Sequence, residues 1–331
     1  PYTEIKINGE LYIMAIRTAI IGCGIMGQRM LEHMLRHPSY NPAQLWDTNE
    51  AACAAAQRMA PEAEVAESAE AAIDKAELVY IACPPIPRKS YALKAADLKK
   101  AIFLEKPLGV NVSESEELVN AIHANAVTSA VNFTQAAGRA LQEVSQATSD
   151  GSMGDIIGID IVLTYATWPR AWQDSADWLR FRAEGGLTRE VLSHFLFFSE
   201  RILGPLSLNC AIPFYPSDPR LCETALLARL GSSQGQPVNV LASVGGAQPD
   251  RQELTIKGSR KSRRIIDFYL DSVSDGMPFR ELYDRPKDPR AESLKAQLDE
   301  LLLCLERKPH RLATINEALR VQKLVEKMLE P

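Results

Sequence analysis

From Ile16 onward the chain alternates short apolar runs with longer stretches whose apolar positions recur at helical spacing. Residues 19–21, 44–46, 78–82, 101–104 and 128–133 read as strands, and 28–36, 50–60, 69–76, 87–98, 113–125 and 135–149 as helices. Pro61 stops the second helix, and Ser113 with Glu116 has the spacing of a capping box at the start of the fifth. Such alternation predicts an α/β fold over residues 16–134, a parallel sheet with helices on both faces.

Gly151-Ser152-Met153-Gly154 ends this pattern. Beyond it, 155–166 is almost wholly β-branched or apolar, and 253–257 and 263–268 flank Gly258-Ser259 as the arms of a hairpin would. One strong helix, 188–203, runs to Gly204-Pro205, and two amphipathic helices, 291–305 and 315–329, close the chain. Residues 135–331 are therefore expected to form a second, α+β domain with a large, mostly antiparallel sheet. Met14-Ala15-Ile16 leads into the first strand as a translation start would, so residues 1–15 read as an N-terminal extension or cloning remnant without function.

At 331 residues two domains are the better expectation. The composition, 46% hydrophobic and 24% charged, is that of a soluble globular protein, and no run approaches a membrane span. A formal charge of −5 argues against nucleic acid as a partner, and the basic run Arg260-Lys261-Ser262-Arg263-Arg264 reads as a solvated hairpin turn. Cys23, Cys53, Cys83, Cys210, Cys222 and Cys304 are scattered without a C-x-x-C, which fits reduced thiols in the cytoplasm. With the histidines scattered too, no metal site is expected.

The most informative stretch is Ile21-Gly22-Cys23-Gly24-Ile25-Met26-Gly27, a strand running into a G-x-G-x-x-G turn. In such a turn the backbone approaches a pyrophosphate at Gly24, Gly27 lets the next helix sit on the strand, and the anion rests on the helix N-terminus. The second strand ends on Asp47, about 20 residues after Gly27, where an acidic side chain holds the adenosine ribose. With no arginine adjacent, Asp47 favours NAD and leaves NADP open.

Three further groups can carry chemistry. Glu105-Lys106-Pro107 follows the strand at 101–104, at the carboxyl end where open α/β sheets bind ligands. His194 lies four residues after Glu190, so an α-helix would put them on one face, with His194 on the polar flank of the apolar stripe. Gly185-Gly186 before this helix would let a loop pass close to a ligand. Trp168, Arg170 and Trp172 gather aromatic faces and a guanidinium, suited to a ring-shaped polar substrate.

Taken in order, these motifs resemble the glucose-fructose oxidoreductase, inositol dehydrogenase and rhizopine-catabolism (Gfo/Idh/MocA) oxidoreductase family over nearly the whole chain from Ile16. The matching pieces are the glycine turn, the strand 78–81 with Cys83, Pro84 and Pro85, Glu105-Lys106-Pro107, Gly185-Gly186 with Glu190 and His194, and Ile256-Lys257-Gly258-Ser259. The chain departs from the pattern at Glu190, where aspartate is usual, at Leu192 and Glu184, where glycine is usual, and at Arg88 or Lys89, where histidine is common. The resemblance implies an N-terminal Rossmann domain, a C-terminal substrate and oligomerisation domain, a homodimer or homotetramer, and cofactor contacts at Ile25, Met26, Cys83, Pro84, Glu105 and Lys106. It implies catalytic roles for Lys106 and His194, with Glu190 supporting the imidazole. It also implies hydride transfer between nicotinamide and the C–OH or C=O of a sugar, inositol or other cyclic polyhydroxy compound. A cyclic dihydrodiol or a carboxylated ring stays open as substrate, and a cofactor-binding regulator without turnover is the alternative of another class.

Overall fold

In a computed structural model the described residues are 15–330, with the backbone of 4–7 and 10–13; Met14, read as a translation start, lies outside them. Glu4–Ile7 (β1) and Glu10–Ile13 (β2) pair antiparallel, with Ile7 opposite Glu10. The extension thus contains a strand pair that the sequence reading passed over.

The chain divides into two compact units. The first comprises residues 1–132 with 294–319, the second 133–293 with 320–331. The first unit is built on Ile16–Ile21 (β3), Ile25–Leu35 (α1), Tyr40–Trp46 (β4), Glu50–Met59 (α2), Glu64–Val65 (β5), Ala69–Asp74 (α3), Leu78–Ile81 (β6), Pro85–Asp97 (α4), Ala101–Glu105 (β7), Val112–Ala124 (α5) and Ser129–Asn132 (β8). Its six strands form one parallel sheet in the order β5-β4-β3-β6-β7-β8, the predicted α/β arrangement. Every residue of β6 is buried, as a strand covered on both faces requires.

Two local expectations are corrected. Helix α1 starts at Ile25 rather than 28, and α5 is capped by Asn111, whose side chain accepts the Glu114 N–H at 3.1 Å, so Ser113 lies inside the helix. The end of the chain also returns to this unit. In Pro289–Leu305 (α8), Leu294, Leu298, Leu301 and Leu305 recur on one stripe and join the core of Ile20, Met30, Leu45 and Phe103. The Tyr40 hydroxyl donates to the Leu298 carbonyl at 2.7 Å. Residues 294–319 therefore pack with the dinucleotide fold, which a split at 134 did not anticipate, because a stripe of leucines does not reveal what it packs against.

The second unit holds Arg139–Ser149 (α6), Ile156–Tyr165 (β9), Ser193–Leu203 (α7), Leu206–Phe214 (β10), Ala225–Ser232 (β11), Pro237–Val244 (β12), Arg251–Gly258 (β13), Ser262–Ile266 (β14), Leu270–Ser274 (β15) and Arg280–Glu281 (β16). Eight strands make one sheet, β10-β11-β12-β9-β13-β14-β15-β16, antiparallel except where β12 meets β9. The hairpin around Gly258-Ser259 is present. Its basic run is not all solvated turn, however. Arg263 lies in β14, is buried, and donates from Nε to Asp271 at 2.8 Å. On one face of this sheet Ile212, Leu227 and Leu241 are exposed and directly opposite one another across β10, β11 and β12. Ile315–Met328 (α9) ends the fold, and among the described residues no helix is long and apolar enough to cross a membrane.

Candidate active site

In the first unit the glycine turn sits where β3 passes into α1. Gly22 has φ +98°, and a Cβ there would press on the backbone of Ala82 and Cys83, so the turn packs against the end of β6 without room for a side chain. A Cβ on Gly27 would overlap the Gly22 carbonyl. At Gly24, by contrast, a Cβ would meet nothing within 4 Å, and this exposed residue is the N-cap of α1 with no side chain bonded into the cap. The structure thus leaves open backbone and a helix N-terminus at the position where turns of this pattern hold a pyrophosphate, and the residues present fit a dinucleotide. Ile25 and Met26, both half-buried, form the first turn of α1.

Asp47 follows β4 and is stitched to the turn. One carboxylate oxygen accepts the Cys23 N–H at 2.6 Å and the other the Asn49 N–H at 2.8 Å. It shapes the local backbone while standing at the carboxyl end of the strand beside β3. Cys83 is buried and Pro84 caps α4, and burial pushes the Cys83 thiol up from its ordinary pKa.

Lys106 stands directly after β7, two strands from β3 in the same sheet, and is only 9% exposed. The preceding Glu105 turns its carboxylate inward, where the Tyr80 hydroxyl and the Asn132 amide (2.7 Å) both donate to one oxygen. Burial holds the Glu105 carboxyl above the usual glutamate range, opposed by the Tyr80 hydrogen bond and the Lys106 charge. Glu105, expected as a cofactor contact, thus has its side chain committed to an internal network. A cavity of about 790 Å³ lies elsewhere in this unit, at the amino ends of the strands, lined by Ile16, Ala101 and Thr128. The glycine turn and Lys106 belong to the opposite, carboxyl ends.

In the second unit His194 is 6% exposed, not at the solvent flank that a helical wheel suggested. It is held edge-on between Phe133 (5.6 Å) and Phe268 (5.3 Å between ring centres). Residues 188–192 form a π-helix before α7, where the sequence reading expected an α-helix. The Glu190 carboxylate accepts from Gln173 at 3.3 Å and faces the Arg170 guanidinium at 3.9 Å. Gln173 also accepts from Arg170 Nε at 2.9 Å, and so bridges the two charges.

The structure therefore brings Arg170, Trp172 and Glu190 together, with the guanidinium carbon 4.6 Å from the centre of the exposed Trp172 ring. Trp168 is more of a strut, since its indole N–H donates to the Leu179 carbonyl at 3.0 Å. The Gly185-Gly186 pair has a packing cause. Side chains there would strike the Leu179 backbone and the Glu223 carboxylate, which accepts the Thr188 N–H at 2.7 Å. Sequence reasoning missed Gln173 and Phe268. Nothing local marks a glutamine as a bridge, and Phe268 reaches His194 from a tight turn between β14 and β15, in which it has φ +67°.

A family model described as an oxidoreductase family with an NAD-binding Rossmann fold matches residues 16–133. That match spans about a third of the chain and falls on the parallel sheet and helices of the first unit. An uncharacterised oxidoreductase of Streptococcus pneumoniae serotype 4 (strain ATCC BAA-334 / TIGR4) is 24% identical over 176 residues, which span 52% of this chain and 46% of that protein, under half its length. Among solved structures, the WlbA dehydrogenase of Bordetella pertussis, in complex with NADH and UDP-GlcNAcA, has a TM-score of 0.82 at 19% identity and covers 96% of this chain and 94% of its own. Levoglucosan dehydrogenase, in complex with NADH, has a TM-score of 0.82 at 16% identity, covering 96% of each chain. The chain accordingly shares its fold with these two dehydrogenases, and residues 16–133 resemble an NAD-binding Rossmann fold.

Proposed function

We propose that the protein is an NAD(P)-dependent dehydrogenase or reductase acting on the C–OH or C=O of a sugar, inositol or other cyclic polyhydroxy compound, with NAD favoured by Asp47 at the ribose position. The observation that carries this reading is Lys106, a buried amine at the carboxyl end of β7 in the same sheet as the glycine turn. Bound nicotinamide supplies the carbon that accepts or returns the hydride. Oxidising an alcohol also removes a proton from oxygen, and for that step the chain offers an imidazole, His194, as general acid/base. Lys106 donates a hydrogen bond to the reacting oxygen and stabilises its developing negative charge. Glu190, with Arg170, Trp172 and Trp168, belongs to the substrate side. Because Glu190 and Gln173 already answer the Arg170 charge, this cluster supports a neutral hydroxyl-bearing ring over a carboxylated one. WlbA bound to UDP-GlcNAcA and levoglucosan dehydrogenase, whose names point to sugar-like substrates, support the same class.

The test is a panel of cyclic polyols and sugars with NAD at alkaline pH. Wild type turns over at least one member, and Lys106→Ala and His194→Ala each lower kcat by about 10²- to 10⁴-fold with NADH affinity nearly intact. Tight NADH binding without turnover on any member overturns the enzyme in favour of a regulator. Full activity in both variants overturns the site. We also propose a homodimer or homotetramer formed through the exposed Ile212, Leu227 and Leu241 row. Sedimentation of Leu227→Glu should then give a smaller species than wild type, and identical sedimentation refutes that face.

A further inference from the structure

We infer that Arg88 is a positioning residue for Lys106, a clamp that fixes the backbone on both sides of the lysine to the turn after β6. The inference rests on the reading of Lys106 given above for its catalytic consequence, but its geometry belongs to the first unit alone. Arg88 lies in the first turns of α4 and is 2% exposed. Its guanidinium reaches no carboxylate within hydrogen-bonding distance among the described residues and binds three backbone carbonyls instead. Nη2 donates to Cys83 O at 2.6 Å, and Nη1 donates to Glu105 O at 2.6 Å and to Pro107 O. Glu105 and Pro107 are the two neighbours of Lys106 in sequence, so one rigid planar group holds both flanking peptides. Cys83, the third partner, is the residue whose backbone lies against Gly22. The lysine segment and the backbone that bounds the glycine turn are thus pinned to the same fork.

Burying a guanidinium costs free energy unless hydrogen bonds replace its water. Here its Nε has no partner among the described residues, so the placement gives up one donor to serve the three carbonyls. Tying α4 to the turn before it would require only Cys83 O. The bonds to Glu105 O and Pro107 O have no part in that helix and converge on the one residue between them. A lysine at 88 would keep the charge but, with a single ammonium on a flexible stem, cannot span the same carbonyls as a planar fork. The Glu105 carboxylate, tied to Tyr80 and Asn132, anchors the segment from the other side.

The experiment uses the full chain with NADH and no substrate, comparing wild type, Arg88→Lys and Arg88→Gln. N-acetoxysuccinimide acetylates accessible amines, and peptide mass spectrometry gives the labelling rate of Lys106 relative to the exposed Lys94 and Lys287. The ratio is expected to rise about tenfold in both variants, since release of the segment exposes the amine, while NADH affinity stays within about twofold. Where wild type turns over a polyol, kcat falls by about 10- to 100-fold with KM for NAD little changed, the signature of a misplaced group. An unchanged Lys106 ratio in Arg88→Lys overturns the proposal, as does a parallel rise at every lysine. If Arg88→Gln fails to fold, Arg88→Lys decides alone. Loss of folding in both variants also overturns it, because Arg88 then holds up the unit as a whole. An absence of turnover in wild type would count against the proposed activity and leave the labelling result to judge the clamp.

Discussion

The glycine turn uses backbone for recognition: Gly22 and Gly27 are fixed by close contact with neighbouring main chain, and Gly24 leaves open space beside a helix start. The region around Glu190 and His194 uses side chains, with a buried imidazole between two aromatic rings and a carboxylate held by Gln173 of the 3₁₀ segment 171–173 and by Arg170 just before it. The first kind of site is written in consecutive residues. The second is assembled from parts of the chain that no local pattern connects, and the helix it uses begins with a π-helical turn, 188–192.

If the glycines of the turn have separate jobs, they must fail separately. Gly27→Ala puts a methyl group into the Gly22 carbonyl, where neither backbone can yield cheaply, and should destabilise the first unit by about 3 kcal/mol or more in denaturant unfolding. Gly24→Ala meets no protein atom, so its stability should stay within about 0.5 kcal/mol of wild type, while NADH binding by fluorescence titration weakens about tenfold. Equal affinity in Gly24→Ala and wild type would mean that the open space is not where the cofactor lies.

The side-chain region should respond differently. Gln173→Ala removes the bridge between Arg170 and Glu190, a loss of about 1 kcal/mol that should raise KM for a polyol about fivefold and leave NADH affinity alone. A drop in NADH affinity, with KM unmoved, would detach this cluster from the substrate.

The same contrast explains how much could be read in advance. The parallel sheet, the glycine turn and the position of Lys106 follow from strand–helix alternation and a motif contiguous in sequence, and they appear as expected. His194 lay in a predicted helix, yet its burial depends on Phe133 and on Phe268, far apart in the chain. Glu190 was matched to His194 on α-helical spacing, and neither the π-helix at 188–192 nor the Gln173 and Arg170 contacts of Glu190 could be read from that spacing. Strands β10 to β12 went unassigned because their outer face carries apolar residues too, with Leu227 and Leu241 exposed between buried neighbours, so the alternation that marks a strand is blurred. Arg88 drew notice only as a departure from a family pattern. Its three carbonyl partners come from two loops that only the folded sheet brings together.

The smallest effect concerns pH and again separates the two regions. Burial raises the carboxyls of Glu105 in the first unit and of Glu223 in the second above their ordinary range. A raised carboxyl holds its proton in the folded chain to a higher pH than in the unfolded one, so the folded state binds more protons and stability falls as pH rises. The favourable contribution is complete below the unfolded pKa and is lost as pH climbs through the folded one. Glu105→Gln removes this titration from the first unit and keeps an oxygen that can accept from Tyr80 and Asn132. Between about pH 4 and 7 its unfolding midpoint should decline less steeply than that of wild type. Glu223→Gln, whose partner is the Thr188 N–H at the start of the π-helix, should flatten the decline for the second unit and leave the first unit's slope in place. Hydrogen exchange followed by mass spectrometry reads the two units separately. Parallel slopes for Glu105→Gln and wild type across the first unit would show that this carboxyl titrates alike folded and unfolded, and that its network with Tyr80 and Asn132 offsets the whole cost of burial.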